Sequence, residues 1–329
     1  MNGQLFLDYM DIVLRSDKVQ TGPATLSDAI KNDYEAWELG EIAAQRFAKD
    51  TLLLRKEGSI TSVDGQRDYN LPPDFIRCSM KARDNRTDVL LYTQSGETQG
   101  EKIWRENQNE FFGLDTDEEE EIPSAFDIIE YPLAPAEVTG TTTSAGVESN
   151  GEAILTDALR LFTTTERVYA RHRIRNTVSG KPYHGIILDV TDATHLKTAM
   201  FQKGAVQSWG SGDTYAIQVA SQFKLRFKYK LATSGDTITV PYYCFPPPVF
   251  SPIGMWGFPD QDNVMALAVY AVWWLKFRNV QQQQGGEVNV AALTSDRLYL
   301  VYKDFVDSAL SLKTKRMFTA KPSSLLEVM

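Results

Sequence analysis

Cysteine is scarce in this chain of 329 residues, which contains only Cys78 and Cys244, far apart in the sequence. Two thiols cannot build a disulfide framework, so the fold has to rest on a hydrophobic core, and the low count fits a reducing compartment. Neither thiol has a motif partner nearby. We therefore interpret both cysteines as small core residues.

Long apolar runs are missing as well. The most apolar stretch, residues 264–275 (VMALAVYAVWWL), is shorter than the ~20 residues that a membrane-spanning helix requires. The N-terminal segment meets the acidic residues Asp8 and Asp11 and has no basic region, unlike a secretory signal. These features predict a buried helix at 264–275, a structural helix at 5–15 and no membrane partner.

Motifs for common chemistry are lacking too. Neither GxxxxGK[ST] nor a strand-to-helix GxGxxG occurs, which argues against a nucleotide enzyme. The histidines His172, His184 and His195 do not have the spacing of a zinc site, and we interpret them as surface or edge-strand residues. No nucleophile, base and orienting group can be grouped along the sequence. We expect a protein that is not an enzyme and that has no cofactor and no metal.

Positive charge is in deficit: 34 Lys and Arg stand against 43 Asp and Glu, a net charge of -9. This balance argues against a protein that holds nucleic acid through a broadly basic surface. The composition, 43% hydrophobic and 23% charged, is that of a globular protein, and the length suggests about two domains.

Helical periodicity is confined to the two ends of the chain. Residues 26–54 place apolar side chains three or four positions apart, after the N-cap candidates Thr25, Ser27 and Asp28, and predict one long helix that could bend near Gly40. Segments 262–279 and 290–312 predict two further helices joined by the polar connection QQQQGGE, which favours an antiparallel pair.

Strand-like runs fill the middle of the chain. Segments 59–63, 75–81, 89–93, 222–230 and 237–244 have strand composition, and the turn between the last two predicts a hairpin. Residues 132–151 and 203–214 are rich in Pro, Gly, Ser and Thr, and we interpret them as linkers. They bracket a small β module with strands at 153–161, 168–174 and 185–190, inserted into the surrounding fold.

Alternation in QFKLRFKYK (222–230) segregates charge. One face carries Phe223, Leu225, Phe227 and Tyr229, and the opposite face carries Lys224, Arg226, Lys228 and Lys230. The basic face is either a solvated edge, a partner for carboxylates of another subunit, or a surface that faces DNA. A second basic strand at 169–175 places Arg171, Arg173 and Arg175 on one face.

The acidic run at 114–121 is by default a solvated loop, and it is also the natural partner for the basic face across a subunit boundary. Its members in that hypothesis are Asp115, Asp117, Glu118, Glu119, Glu120 and Glu121. The run lacks the pattern of a calcium loop.

Three segments together point to a known family. In the first segment a helix is followed by a strand, a turn and a Y-x-L-P-x-D-F-x-R motif. In the second, GDTITVPYYCFPPPVF, a strand runs into a proline-containing loop. The third segment consists of the two final helices. The first segment is matched by Tyr69, Leu71, Pro72, Asp74, Phe75 and Arg77. Over roughly residues 1–131 and 215–312 the chain resembles the head-to-tail adaptor (connector, or tail tubular A-type) proteins of tailed bacteriophages.

The resemblance implies a structural protein of the virion neck, made in the host cytoplasm. Such adaptors form a homo-oligomeric ring, of about twelve copies, with heterologous interfaces. The ring lies between the portal protein and the tail or nozzle protein, and genomic double-stranded DNA passes through it without specific binding during packaging and ejection. A net negative charge suits such a conduit, because each cation on a phosphate would add to the affinity.

The residue patterns and the resemblance together predict a fold and a division of the chain. The fold class is α+β: a discontinuous helical layer, made of the N-terminal long helix and the C-terminal antiparallel helix pair, with a β-rich body and an inserted β-sandwich-like module. The adaptor body comprises 1–131 and 213–312, the module with its linkers 132–212, and an extended tail 313–329. By analogy the tail docks on the portal, unless it is simply a frayed end. Its docking candidates are Lys313, Lys315, Arg316, Phe318 and Lys321.

The module departs from the compact adaptor pattern. It could contact a fibre or the capsid, or it could be the functional part of the chain. The rival hypothesis is therefore a virion adhesin or carbohydrate-binding protein, with Trp209, Tyr183 and Tyr169 as candidate stacking residues.

Overall fold

The computed structural model describes residues 2–17, 33–78, 88–92, 101–105, 118–121, 125–130, 137–149, 151–162, 168–181, 183–202, 205–219, 223–258, 260–284 and 296–319. The protein is α+β, with four helices and several sheets in these ranges. It divides into a helical unit (1–53 and 246–329) and a β unit (54–245). No helix in the described ranges is long and apolar enough to cross a membrane.

Both ends of the chain contribute to the helical unit. Its helices are α1 (Asn2–Asp17), α2 (Asp33–Thr51), α3 (Gln261–Gln284) and α4 (Arg297–Thr319). The helices predicted at 5–15, 26–54, 262–279 and 290–312 are thus confirmed within the described residues, while the N-cap candidates Thr25, Ser27 and Asp28 lie outside them. Helix α2 runs without interruption through Gly40.

Helix α3 is the centre of the helical unit. It contacts α1, α2 and α4, and its apolar stretch is buried from Val264 to Ala268 except at one position. A helix that is apolar on all sides has to be covered on all sides. The buried helix predicted at 264–275 is confirmed.

Aromatic contacts fix the direction of α4 against α3. The ring centroids of Tyr270 and Tyr302 are 4.8 Å apart, and those of Trp273 and Tyr299 are 4.9 Å apart. Because the contact moves back along α4 as it moves forward along α3, the two helices are antiparallel, as predicted.

Gly40 marks a close approach between elements of this unit. A Cβ atom there would lie 2.9 Å from the Phe6 ring and 3.1 Å from the Trp256 ring. The missing side chain lets α2 pack directly against these two rings, so this glycine serves packing and not a bend.

The first sheet of the β unit has the strand order β1-β18-β4-β5-β7-β16-β2, with β3 also paired to β18. All of its pairs are antiparallel except β5 with β7. Its strands are β1 (Arg55–Thr61), β2 (Asp68–Asn70), β3 (Phe75–Cys78), β4 (Asp88–Tyr92), β5 (Glu101–Arg105), β7 (Ala125–Glu130), β16 (Phe223–Phe227) and β18 (Thr237–Cys244).

The predicted hairpin between 222–230 and 237–244 is wrong. Strand β16 lies between β2 and β7, whereas β18 pairs with β1, β3 and β4. The residues between them form β17 (Lys230–Leu231), which pairs with β6 (Glu119–Glu120) in a separate two-stranded sheet. Partners from distant parts of the chain have therefore replaced the sequence neighbour.

The second sheet takes all its strands from one continuous stretch, 137–218, and has the order β8-β15-β11-β12-β13-β10-β9, with β14 on β13. Its strands are β8 (Glu137–Thr141), β9 (Glu148–Ser149), β10 (Glu152–Thr156), β11 (Arg173–Asn176), β12 (His184–Val190), β13 (His195–Gln202), β14 (Ala205–Gln207) and β15 (Thr214–Gln218). Each sheet has its own hydrophobic cluster.

The stretches interpreted as linkers, 132–151 and 203–214, are partly sheet. They contain β8, β9 and β14, and the second also contributes the buried side chains of Trp209 and Asp213. The extended tail predicted from residue 313 is wrong over its first part, because α4 continues to Thr319.

Candidate functional site

The basic face predicted on 222–230 is shorter than its sequence suggests. Strand β16 ends at Phe227, so the strand positions Lys224 and Arg226 belong to it, and Lys228 and Lys230 follow it. Leu225 and Phe227 are buried on the opposite face, as expected from the alternation. Because β16 has a neighbour on both sides, the interpretation as a sheet edge is wrong.

Arg226 is paired within its own chain. Its Nε and one terminal nitrogen each donate to a different oxygen of Asp68 at 2.7 Å, a two-point contact between β16 and β2. Both side chains are about 30% exposed. The guanidinium is therefore held in a fixed plane by a partner that the sequence analysis did not identify.

The acidic run lies beside the end of the basic segment. In the two-stranded sheet Lys230 is in register with Glu119, and its amide donates to the Glu118 carbonyl at 3.1 Å. Glu118, Glu119 and Glu121 are exposed. Asp115 and Asp117 lie outside the described residues. The two charged segments thus meet through their backbones in one chain, and their pairing across a subunit boundary stays a prediction.

The family-like motif forms the turn between β2 and β3. The buried Tyr69 hydroxyl accepts from the Val63 amide at 3.1 Å and donates to the Val63 or Gln66 carbonyl. Leu71 and Phe75 belong to the first-sheet core. The tyrosine and the two apolar residues therefore hold the turn onto the sheet.

Asp74, the acidic residue of that motif, joins the β2–β3 turn to β1 and to the end of β18. Its carboxylate accepts from Lys56 Nζ at 2.7 Å and from the Tyr242 hydroxyl at 2.9 Å, and its carbonyl accepts from the Phe245 amide at 2.7 Å. Burial, reinforced by the charge of Asp74, raises the pKa of Tyr242 well above its usual value, so the hydroxyl keeps its proton and donates.

The remaining motif residues lie around this turn. Pro72 lines a cavity beside Asp74. The Arg77 guanidinium lies 5.8 Å from the centroid of the Tyr243 ring. In this chain the motif has a clear structural role, which is to fasten β3 and β18.

The predicted docking residues have two different placements. Lys313, Lys315, Arg316 and Phe318 fall in the last turns of α4. Lys321 lies outside the described residues. Portal docking by this segment stays a prediction.

The histidine interpretation needs correction. His172 is buried and follows a turn, and burial lowers its pKa to about 4. His184 and His195 begin β12 and β13, where His184 is exposed and His195 is half-buried, so the surface interpretation is wrong for His172 and is confirmed for the other two. No group of potential metal ligands is found among the described side chains.

The second basic strand also differs from expectation. Strand β11 begins at Arg173, so Arg173 and Arg175 share its exposed face, and Arg175 pairs with Glu137 at 3.0 Å. Arg171 precedes the strand with a positive φ of 75° and lies over the Phe245 ring.

The two cysteines are core residues, as predicted. Both belong to the first-sheet cluster, and burial raises the pKa of Cys244 to about 11. A protonated, buried thiol is a poor nucleophile at neutral pH.

Trp209, one of three candidate stacking residues, is not available for that role. It is 2% exposed, and its indole nitrogen donates to the Thr198 hydroxyl at 2.9 Å. Tyr169 is 44% exposed, and Tyr183 is half-buried. Of the three, Tyr169 keeps the exposure that stacking requires.

Two further groups of polar contacts, centred on Asp50 and Asp213, were not predicted from the sequence. Asp50 of α2 accepts from Arg46 at 3.1 Å and from the buried Tyr302 hydroxyl of α4 at 3.0 Å. The spacing of Arg46 and Asp50 is a visible i, i+4 signal, but their tyrosine partner depends on the packing of the helices.

The second of these groups centres on Asp213. Its buried carboxylate accepts from Lys181 at 2.7 Å, the Gly210 amide at 2.8 Å and Asn176 at 3.0 Å. Burial by itself would raise the pKa of Asp213, but these hydrogen bonds hold it below its usual value. The carboxylate fixes the loop that carries Trp209.

No family model and no curated protein matches the chain.

Proposed function

We propose that this protein is a head-to-tail adaptor of a tailed bacteriophage virion, a ring-forming structural protein between portal and tail. The observation that supports the proposal is that two distant segments of the chain together make up the helical unit. Residues 1–53 and 246–329 form one unit, and the β unit occupies the chain between them. This is the discontinuous arrangement of helices, β body and closing helix pair that the resemblance implies. In the same proposal the second sheet is a β-sandwich-like module inserted in the adaptor body.

Ring formation requires surfaces that a single copy leaves open. Large apolar side chains are exposed on three helices of the helical unit: Ile12 of α1 is 53% exposed, Ile42 of α2 is 42% exposed, and Leu300 of α4 is 52% exposed. Burying such side chains is worth about 25 cal/mol per Å² of apolar surface. Contacts between neighbouring copies through different helices would have the heterologous character of a cyclic ring.

The net charge of -9 fits the proposed partners. The portal and tail proteins bind the two ends of the ring, and duplex DNA passes through its centre. A chain with an excess of carboxylates contributes few counterion-releasing contacts to phosphates, and DNA can slide.

The proposal is tested by imaging the purified chain and its mixture with the portal complex of the same virion. Electron-microscopy class averages are expected to show closed rings with one central axis and about twelve copies. Chains that remain monomeric both alone and with portal contradict the proposal.

Charge-introducing variants identify the surface. Ile12→Asp and Leu300→Asp are expected to abolish rings, because each would place a carboxylate in an apolar contact. Leu159→Asp is the matched control, since Leu159 is 88% exposed on the β unit. Rings that survive both helical variants would exclude these helices as the subunit interface.

A further inference from the structure

A cavity of about 440 Å³, partly open to solvent, lies in the β unit between residues of the two sheets. Strand β1 and the β2–β3 turn form one wall, and residues 168–170 and the end of β12 form the other. This volume is within the range of small-molecule sites. The lining groups used below are Lys56, Ser59, Asp74, Tyr169, Asp189 and Tyr242.

We propose that this cavity binds a neutral carbohydrate, with the Tyr169 ring as the surface on which a sugar ring stacks. Tyr169 is the exposed aromatic side chain of the wall, and its ring packs edge-on against His172 with centroids 5.8 Å apart. An aromatic ring offers an apolar face to the C–H groups of a pyranose and a hydroxyl to its polar rim.

The turn that carries Tyr169 is rigidly held. Arg171 has a φ of 75°, a left-handed conformation that is costly for a residue with a side chain. The Arg171 amide donates to the Ile187 carbonyl at 2.7 Å, and the Ile187 amide donates to the His172 carbonyl at 2.9 Å. Strain maintained by such fixed contacts is common at binding sites, where it preorganises the contact groups.

His172 completes the turn from the inside. Its Nδ1 accepts from the Tyr169 amide at 3.1 Å, which requires that nitrogen to be unprotonated. The buried imidazole is neutral at neutral pH because burial lowers its pKa to about 4. The backbone of the stacking residue is therefore fixed before any ligand arrives.

The second strand at the cavity is also locally irregular. The pairing of β12 with β13 shifts between Ile187 and Asp189, so a bulge interrupts the ladder where β12 reaches the cavity. A bulge re-aims the side chain that follows it, and bulges are enriched beside binding sites. The exposed carboxylate of Asp189 is thereby placed in the cavity wall.

The polar groups select the class of ligand. Asp74 and Lys56 form an ion pair at 2.7 Å, which leaves the carboxylate of Asp189 as the excess charge of the wall. An excess carboxylate disfavours phosphate, sulfate and acidic sugars. Neutral hydroxyl groups can donate to the carboxylates and accept from the ammonium group and from Ser59, which matches the lining.

This inference goes beyond the adaptor proposal and does not depend on it. The binding experiment uses the free, full-length chain. A chain that binds sugar but stays monomeric would support the sugar site and contradict the adaptor proposal, and a ring that binds no sugar would do the reverse.

The experiment is saturation-transfer-difference NMR with the methyl glycosides of glucose, galactose, mannose, rhamnose and N-acetylglucosamine, followed by titration of those that respond. Binding of inorganic phosphate, which has no carbon-bound protons, is measured by isothermal titration calorimetry. At least one glycoside is expected to bind saturably, while inorganic phosphate does not. No response from any of the five, or a response from phosphate alone, overturns the proposal.

Variants locate the site. Tyr169→Ala is expected to weaken binding about tenfold, and Tyr169→Phe, which keeps the ring, to change it by less than about threefold. Asp189→Asn is expected to weaken it by about threefold to tenfold through loss of a charged acceptor. Leu159→Ala, exposed and outside the cavity lining, is the control. Binding that Tyr169→Ala leaves unchanged, or that Leu159→Ala weakens equally, overturns the assignment; thermal unfolding of each variant confirms that it is folded.

Discussion

The two sheets of the β unit bury different numbers of polar side chains. Among the described residues of the first sheet and its turns, the buried polar side chains are Ser62 and Asp127, and the Arg226–Asp68 and Lys56–Asp74 pairs are partly exposed. The second sheet buries several polar groups and satisfies them internally. The members of this polar set are Thr142, Asp157, His172, Asn176, Thr198 and Asp213.

This difference determines how strictly each sheet is held to a single packing arrangement. An apolar cluster tolerates small rearrangements, since hydrophobic contacts are not directional. A buried polar network has few acceptable geometries, because an unsatisfied donor or carboxylate is costly. The second sheet should therefore be the more sensitive of the two to the loss of a single polar atom and to acid.

The strongest test of this contrast is Asp213→Ala. The change removes the acceptor of Lys181, Asn176 and the Gly210 amide. Asn176 is buried and the Gly210 amide lies at a half-buried position, so both lose a partner where water has limited access. We expect a loss of about 3 kcal/mol in the opening free energy of the second sheet. Amide hydrogen exchange in β11 and β15 measures it, with β16 of the first sheet as internal reference.

A result below about 1 kcal/mol would show that the network does not stabilise the second sheet. Equal acceleration of exchange in both sheets would show that they open as one cooperative body.

The second test is acid. The pKa of His172 is about 4 in the folded protein and about 6.5 when exposed, so protons favour the unfolded state. The stability associated with the neutral imidazole is complete above about pH 6.5 and is lost as the pH falls toward 4. Relative to pH 7, we expect a loss of about 2 kcal/mol at pH 5 from this residue.

The matched variant is His172→Gln, which cannot take up a proton in this range. Urea unfolding at pH 7 and pH 5 should show a smaller difference for the variant than for the parent chain. Identical pH dependence in both would mean that His172 does not titrate as its burial requires.

The smallest expected effect belongs to the first sheet. Asp68→Ala removes the carboxylate that holds Arg226, but both groups are about 30% exposed and the arginine can return to water. We expect a loss of about 0.5 to 1 kcal/mol, reduced further by salt. Urea unfolding at low and high salt checks this value, and a loss as large as that of Asp213→Ala would remove the proposed contrast between the sheets.

Local patterns predicted the helices well. Residues 264–275 were recognised as a buried helix because they are apolar on every face, and the order of turn and strand around β1 and β3 follows from short-range signals. The burial of both cysteines was also predictable from their isolation in the sequence.

Strand pairing was not predictable in the same way. Leu225 of β16 is in register with Tyr69 and Ile128, neither of which is a neighbour in sequence. Nothing in 222–244 distinguishes that arrangement from a hairpin, since both bury the same face. The glycine- and serine-rich composition of 203–214 also favoured a linker, although Trp209 and Asp213 in this stretch are buried. A tryptophan in an otherwise polar stretch is the signal that could have identified the first of them.

The candidate site residues show the same difference between local structure, which could be predicted, and long-range contacts, which could not. Their presence on strands could be predicted, but the partners of Arg226 and Asp74 could not, because each partner comes from another part of the chain. The strained backbone at Arg171 and the bulge before Asp189 have no sequence signature at all.

The pairing of β8 with β15 has a genetic consequence. Glu137 and Gln218, the outer residues of the second sheet's first and last strands, are in register with each other, so the stretch begins and ends at one place. A segment with adjacent ends can be lost, acquired or exchanged as a block by recombination, with a short splice from residue 130 to residue 223 restoring the path of the first sheet. The block would take the Tyr169 wall with it, so related chains could gain or lose the proposed sugar site in a single crossover while keeping the same helical unit.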